Sequence, residues 1–233
     1  MNFGAMSNPR PRRSDPHHPP GLDTGINLID PADVHSPGDS EEIVRRPRQI
    51  ANELGVRFVQ LDVTSDASVS AAAETVGTLD VLINNAGIVG AWPDPGDPSI
   101  EEVEAIFATN VIGAVRVFYA FLPLLKRSAH PVVVNVSSGL GSFGSAFRRG
   151  SQMTPIAYGS SKAALNMLAV EWAFAHPDVK VNAAAPGYTA TDMNGHRGSQ
   201  TVTEGTDAIV QLATIGPDGP TATFMSREGA VDW

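Results

Sequence analysis

Cysteine is absent from the 233 residues, which removes disulfides, thiolate zinc sites and cysteine nucleophiles together. Lysine is nearly as scarce, with three residues against thirteen arginines. Lys and Arg together number 16 against 25 Asp and Glu, a formal net charge of −9. That balance argues against nucleic-acid partners and against binding to an anionic membrane surface. No run approaches 18 uninterrupted apolar residues, and the most apolar patch, Val115 to Leu125, is interrupted by Arg116 and Pro123. No transmembrane helix is therefore expected. Arg10, Arg12 and Arg13 are followed by no apolar core, so a secretory signal is not expected, and Pro9, Pro11, Pro16, Pro19 and Pro20 would break the amphipathic helix of a transit peptide. A cytoplasmic location is the expectation.

What is present divides near residue 45. Residues 1–45 hold twelve hydrophobic residues, seven of the 18 prolines and three of the six histidines, and no run in them reads as a buried strand. This segment is expected to be largely irregular. His17, His18, Asp15 and His35 lie in it, but nothing in their spacing fixes a metal geometry, and no metal site is expected. The length suits one α/β domain.

From residue 46 onwards, strands and helices alternate. Val56 to Leu61 reads as a short strand, followed by a turn at Asp62 to Asp66 and a helix through about Thr75. Leu79 to Ile83 is the next strand, ending at Asn84-Asn85-Ala86-Gly87. Ser99 with Glu102 has the spacing of a helix-capping box, and that helix should run through Ile106, Asn110 and Val117. Pro131 to Val136 is a β-branched run expected to be a buried strand. A long helix follows Tyr158, and Val179 to Ala183 is a further strand ending at Pro186-Gly187. This alternation predicts an α/β fold with a doubly wound parallel sheet.

In such sheets ligands sit beyond the carboxyl ends of the strands. The residues there are Asp62, Asn84 to Gly87, Ser137, Ser138, Pro186 and Gly187. Ala86 and Gly87 are small enough to let a flat ligand approach the backbone. Tyr158 and Lys162 are four apart in a helical segment, so phenol and ammonium share one face. A phenol with a pKa near 10 is a poor base at neutral pH, and a neighbouring cation favours its ionised form.

These motifs, in this order, resemble the short-chain dehydrogenase/reductase family over about residues 50 to 233. The matching residues are Leu61-Asp62-Val63, Asn84-Asn85-Ala86-Gly87, Asn110, Val134 to Ser138, Tyr158-Gly159-Ser160-Ser161-Lys162, and Pro186-Gly187 with Thr191. Glu204 to Thr221 and the terminal Trp233 look like the carbonyl-reductase-like branch. The resemblance implies an NAD(P)-dependent oxidoreductase moving hydride between nicotinamide and a small carbonyl or alcohol substrate, with NADP slightly favoured over NAD. It implies Tyr158 as general acid or base, with Lys162 lowering its pKa and binding the nicotinamide ribose. Ser138 would donate to the substrate oxygen, and Asn110 would hold a relay water. Asp62 and Val63 would meet the adenine, Asn84, Asn85, Ala86 and Gly87 would line the cofactor, and Pro186, Gly187 and Thr191 would hold the carboxamide end. A homo-oligomer is compatible with this reading.

The family's glycine-rich turn, T-G-x-x-x-G-x-G after a first strand, has no counterpart here. Thr24-Gly25-Ile26-Asn27 begins like it, but Asp30 and Pro31 stand where later glycines belong. The domain is therefore drawn as residues 46–233, Rossmann-like but incomplete or irregular at its N-terminus, preceded by an anomalous segment 1–45. That segment reads as replaced sequence, for instance an out-of-frame product of a GC-rich gene, or else as a divergent N-terminus. The acid or base that discriminates NAD from NADP should lie there, with Arg45, Arg46 and Arg48 nearby. The competing expectation is a non-catalytic Rossmann-like binding or regulatory protein that lost the phosphate loop. A sugar-nucleotide epimerase is disfavoured by the short chain.

Overall fold

The computed structural model describes residues 48–49, 51–53, 55–90, 97–149 and 156–233. The anomalous segment 1–45, with its histidines, and residues 150–155 lie outside them. The described residues form a five-stranded sheet in the order β1 (Val81–Asn84), β2 (Val132–Val136), β3 (Lys180–Ala185), β4 (Phe224–Ser226) and β5 (Gly229–Ala230). The first four strands are mutually parallel, and β5 returns antiparallel on β4. Among the described residues the expected strand at Val56 to Leu61 is not formed, and only a lone bridge stands at Gln60. A β-branched, apolar stretch becomes a strand only where a neighbour supplies a continuous ladder. Leu61 and Val63 are nonetheless buried.

Helices cover both faces. On one side lie α1 (Asp66–Thr75), α3 (Ala114–Leu125) and α5 (Ile156–Ala175), whose Val69, Phe118, Phe121, Leu125, Leu165 and Ala169 pack against Leu82, Val133, Val181 and Ala183. Phe118 stacks on Trp172 with ring centroids 4.1 Å apart, joining α3 to α5. On the other side α6 (Val202–Ala213) lays Ala208, Ile209 and Leu212 on Val132, Val134, Val136 and Ala184. The alternation of β2 side chains between the two cores is the period of a strand buried on both faces. The α/β, Rossmann-like architecture is thus present.

Helix ends follow their capping residues. Ser65 accepts from the Ser68 N–H at the start of α1, and Ser99 accepts from the Glu102 N–H at 3.2 Å at the start of α2 (Ile100–Phe107). Thr201 and Glu204 close a complete capping box on α6. From α2 the chain continues through a π-turn, Ala108–Gly113, directly into α3. The whole Ile100–Leu125 stretch is long and apolar enough to cross a membrane by length and composition alone. Counting uninterrupted runs misses it, because Arg116 and Pro123 interrupt the sequence without ending the helix. Its Val117, Phe118, Phe121 and Leu125 belong to the core.

Candidate active site

Because β1, β2 and β3 are parallel, their carboxyl ends bring Asn84 to Gly87, Ser137 and Ser138, and Pro186 and Gly187 to one edge of the sheet. Helix α5 supplies the other half. It starts at Ile156, two residues before Tyr158. Its face carries Tyr158, Ser161, Lys162, Leu165 and Asn166, all within i+3 or i+4 steps of one another.

Ser138 ends the β2 segment and caps the short 3₁₀ turn Gly139–Gly141, accepting from the Leu140 N–H at 3.2 Å. The Tyr158 hydroxyl hydrogen-bonds Ser138. Burial pushes the Tyr158 phenol up to about 12, with the Ser138 contact opposing that in part. Lys162 is 3% exposed. Its Nζ donates to the Val136 carbonyl at 2.9 Å and lies 5.7 Å from the Tyr158 ring centroid. Burial lowers Lys162 to about 8. The resemblance implies a phenol lowered by this cation; here desolvation of the ring dominates, and the ammonium bonds a backbone carbonyl.

Asn110 sits in the π-turn and is 1% exposed. The extra residue of a π-turn redirects one side chain out of the helical repeat, a device common at functional sites. Its Oδ1 accepts from the Ile88 N–H at 2.8 Å, and its Nδ2 donates to the Ile88 carbonyl at 2.9 Å and to Ser161 Oγ at 3.0 Å. Both amide protons are thus spent, leaving one Oδ1 lone pair for the water the resemblance implies. The residue clamps the strand-end segment to α5. Gly87 lies in that clamp: a Cβ there would sit 3.2 Å from Lys162 Nζ and 3.3 Å from Asn110 Oδ1, so only glycine leaves the strip bare.

The other expected residues divide. Asn84 is buried and donates from Nδ2 to Asn135 Oδ1 at 2.8 Å, a bond that braces β1 against β2. Asn85, Ala86 and Gly87 follow it at the sheet edge, Ala86 half-packed on the core. Asp62 is exposed, its Oδ1 accepting from the Thr64 N–H at 2.8 Å and the Thr64 hydroxyl at 2.7 Å. The Val63 side chain is buried against Gly113, and its carbonyl accepts from Arg116. Pro186 accepts from the Thr189 hydroxyl, Gly187 has φ +76°, and Thr191 is buried with its N–H donating to Asn194 Oδ1 at 3.1 Å.

Sequence reasoning missed the supports. Ser137 Oγ donates to Asn166 Oδ1 at 2.5 Å, and Asn166 Nδ2 reaches the Gly141 carbonyl at 3.3 Å, which ties the serine turn to α5. The signal was available, since Asn166 is one further i+4 step along the Tyr158–Lys162 face.

The donor set at this edge suits the nicotinamide half of a dinucleotide: a buried ammonium, a phenol, a serine hydroxyl and a strip of backbone kept clear of side chains. The segment that would cradle the pyrophosphate falls among residues 1–47, outside the described ones.

Comparison with known proteins agrees with this geometry. The short chain dehydrogenase family profile matches residues 34–201. The chain is 39% identical over 172 aligned positions to a short-chain dehydrogenase of Penicillium roqueforti, covering 68% of each. It is 30% identical over 248 positions to the (+)-neomenthol dehydrogenase of Arabidopsis thaliana, covering 82% of this chain and 83% of that one. The structure of NADPH-bound carbonyl reductase from chicken fatty liver superposes with a TM-score of 0.74 at 27% identity, covering 84% of this chain and 85% of that one. The chain belongs to the short-chain dehydrogenase family and is carbonyl-reductase-like. It is an NAD(P)-dependent oxidoreductase by that membership, and the non-catalytic reading is not favoured.

Proposed function

We propose that this protein reduces a small, apolar carbonyl compound to the alcohol, taking NADPH in preference to NADH. The observation that carries the reading is the Tyr158 hydroxyl held against Ser138 and kept protonated by burial. A protonated phenol beside the serine hydroxyl can give its proton to a carbonyl oxygen, the role that reduction requires. A bound reduced nicotinamide would supply the hydride to the carbonyl carbon. The chain's own groups do the rest: Ser138 Oγ donates to the carbonyl oxygen and polarises it, and Tyr158 delivers the proton to that oxygen. Lys162, Asn85, Ala86, Gly87, Pro186, Gly187 and Thr191 would hold the nicotinamide half, and Asp62 with Val63 the adenine end.

Two observations support an apolar substrate. Helix α4 (Phe143–Arg149) follows the serine turn directly and exposes Phe143 and Phe147, at 64% and 85%. The relatives include a (+)-neomenthol dehydrogenase and the (−)-isopiperitenone reductase of Mentha piperita. The NADPH preference is supported by the NADPH-bound carbonyl reductase among the similar structures. Arg48, near the expected discriminating position, lies over the Phe58 ring at 5.4 Å.

The test is Tyr158→Phe, assayed by NADPH consumption against a panel of cyclic ketones. Loss of one hydroxyl should lower turnover about 10²–10⁴-fold with circular dichroism unchanged. Retained turnover in the folded variant would remove Tyr158 from the chemistry.

A further inference from the structure

Among the described residues two buried side-chain atoms have no hydrogen-bond partner, Asn135 Nδ2 on β2 and Gln200 Oε1 at the sheet edge, and the second lies beside the groups assigned above. Gln200 is held by its backbone, its N–H donating to the Tyr188 carbonyl at 3.1 Å and its carbonyl accepting from the Ala190 N–H at 2.8 Å. These bonds form a parallel bridge with Thr189 and set the side chain down on Gly187. A Cβ at Gly187 would overlap Gln200 Oε1 and lie 3.0 Å from Cδ and 3.1 Å from Nε2. Gly187 is thus fixed as glycine twice over, by its φ of +76° and by the amide lying against it. Gln200 Oε1 is buried and has no hydrogen-bond partner among the described residues.

A buried amide oxygen is expected to have a donor, and an unpaired one marks a place where a ligand or water completes the bonding. The missing group is an N–H or O–H donor beside the carboxyl end of β3, next to Pro186, Gly187 and Thr191. A carbonyl substrate brings no such donor. The primary carboxamide of nicotinamide does, and its N–H₂ offers two.

We propose that Gln200 Oε1 accepts a hydrogen bond from the carboxamide N–H of bound nicotinamide, which makes Gln200 a binding and orienting residue for the hydride-bearing ring. This rests on the function proposed above. It adds a contact from the far end of the Tyr188–Gln200 loop, just before the Thr201 cap of α6, so that loop would close on the cofactor through one amide.

The test measures binding, with affinities read by calorimetry or, in the millimolar range, by saturation-transfer NMR. Three ligands are compared: NADPH, its 3-acetylpyridine analogue, in which the carboxamide N–H₂ becomes methyl, and 2′-phospho-ADP-ribose, which lacks nicotinamide. In the unaltered chain the acetylpyridine analogue should bind about tenfold more weakly than NADPH, the worth of one hydrogen bond. Gln200→Met, which keeps the side-chain length and the backbone bonds, should weaken NADPH by a similar factor and erase the difference between the two dinucleotides. Its affinity for 2′-phospho-ADP-ribose should stay within about twofold. The inference is overturned if the unaltered chain binds both dinucleotides alike, or if Gln200→Met leaves their difference intact. It is also overturned if Gln200→Met weakens all three ligands equally. Binding of 2′-phospho-ADP-ribose with no gain from the nicotinamide would defeat this inference alone, whereas no binding of any of the three would defeat the dinucleotide reading with it. Should Gln200→Met fail to fold, Gln200→Leu, which also removes the acceptor and keeps the backbone bonds, is read against the same three ligands.

Discussion

Lys162 is the residue whose chemistry is most altered by its surroundings. An ammonium that is 3% exposed has given up most of its hydration for one carbonyl, Val136 at 2.9 Å. Its pKa falls from 10.5 to about 8, so the folded chain holds this proton less tightly than the unfolded chain does. Between about pH 8 and 10.5 the unfolded state therefore binds more protons, and stability from this group rises with pH. Tyr158 has the opposite sign: its folded value of about 12 lies above the ordinary 10, so its contribution is present below pH 10 and is lost as pH climbs towards 12. In urea unfolding, the wild type should gain stability relative to Lys162→Met as pH rises from 8 to 10.5, by roughly 3 kcal/mol at most. A difference that stays flat over that window would show that Lys162 is not desolvated as its burial indicates.

At the scale of elements, helix α4 is held from the opposite end of the chain. Ser142 Oγ donates to the Asp232 carbonyl at 2.7 Å, the Gly144 N–H donates to the Trp233 carbonyl at 3.2 Å, and Trp233 stacks on Phe224 at 5.5 Å. Arg148 adds an ion pair to Asp232 at 2.8 Å. These contacts differ in worth. The ion pair is solvent-exposed on both sides, with side-chain exposures of 64% and 71%, and such pairs contribute little. Ser142 is 1% exposed and also accepts from the Ser145 N–H at 2.9 Å, so its removal breaks two part-buried hydrogen bonds at once. Ser142→Ala should cost about 1–3 kcal/mol in urea unfolding, while Arg148→Ala should cost under ~0.5 kcal/mol. The reverse order would mean that charge, not the buried hydroxyl, holds the strap. Because α4 carries Phe143 and Phe147 beside the serine turn, Ser142→Ala should also raise KM for an apolar ketone more than it lowers kcat.

At the scale of the whole molecule, the groups gathered at the sheet edge are preceded in the chain by a proline-rich segment whose composition differs from the rest. In this fold the pyrophosphate is held by backbone N–H groups at a helix N-terminus reached through glycines. Residues 1–45 carry no such glycine pattern in their sequence, and the family match starts at residue 34. Without that turn, several charge-assisted hydrogen bonds to the pyrophosphate, each worth ~1.5–3 kcal/mol, are expected to be missing. Calorimetry should find NADPH bound more weakly than micromolar by this chain. Replacing residues 1–45 with the strand, glycine turn and helix of a family relative should tighten binding about a hundredfold or more. Micromolar affinity in the unaltered chain would show that its own N-terminal residues build a phosphate site of another kind.

Legible in the sequence are the strands β1, β2 and β3 as members of a parallel sheet, their polar and glycine ends, and the pairing of Tyr158 with Lys162. Each of these depends on short-range rules: β-branched runs, capping residues and the four-residue step of a helix face. Tertiary structure decided the rest. Asn110 finds Ile88 22 residues away and Ser161 51 residues away, and Asn84 bonds Asn135. Val56 to Leu61 forms no strand among the described residues, and the helix from Ile100 passes through a π-turn and Pro123 without ending. Tyr158 rises where its neighbouring cation alone would lower it. Gln200 comes to rest on Gly187. Burial and long-range pairing arise only when helices close over the sheet, and it is desolvation in those closed layers that raises Tyr158 and lowers Lys162.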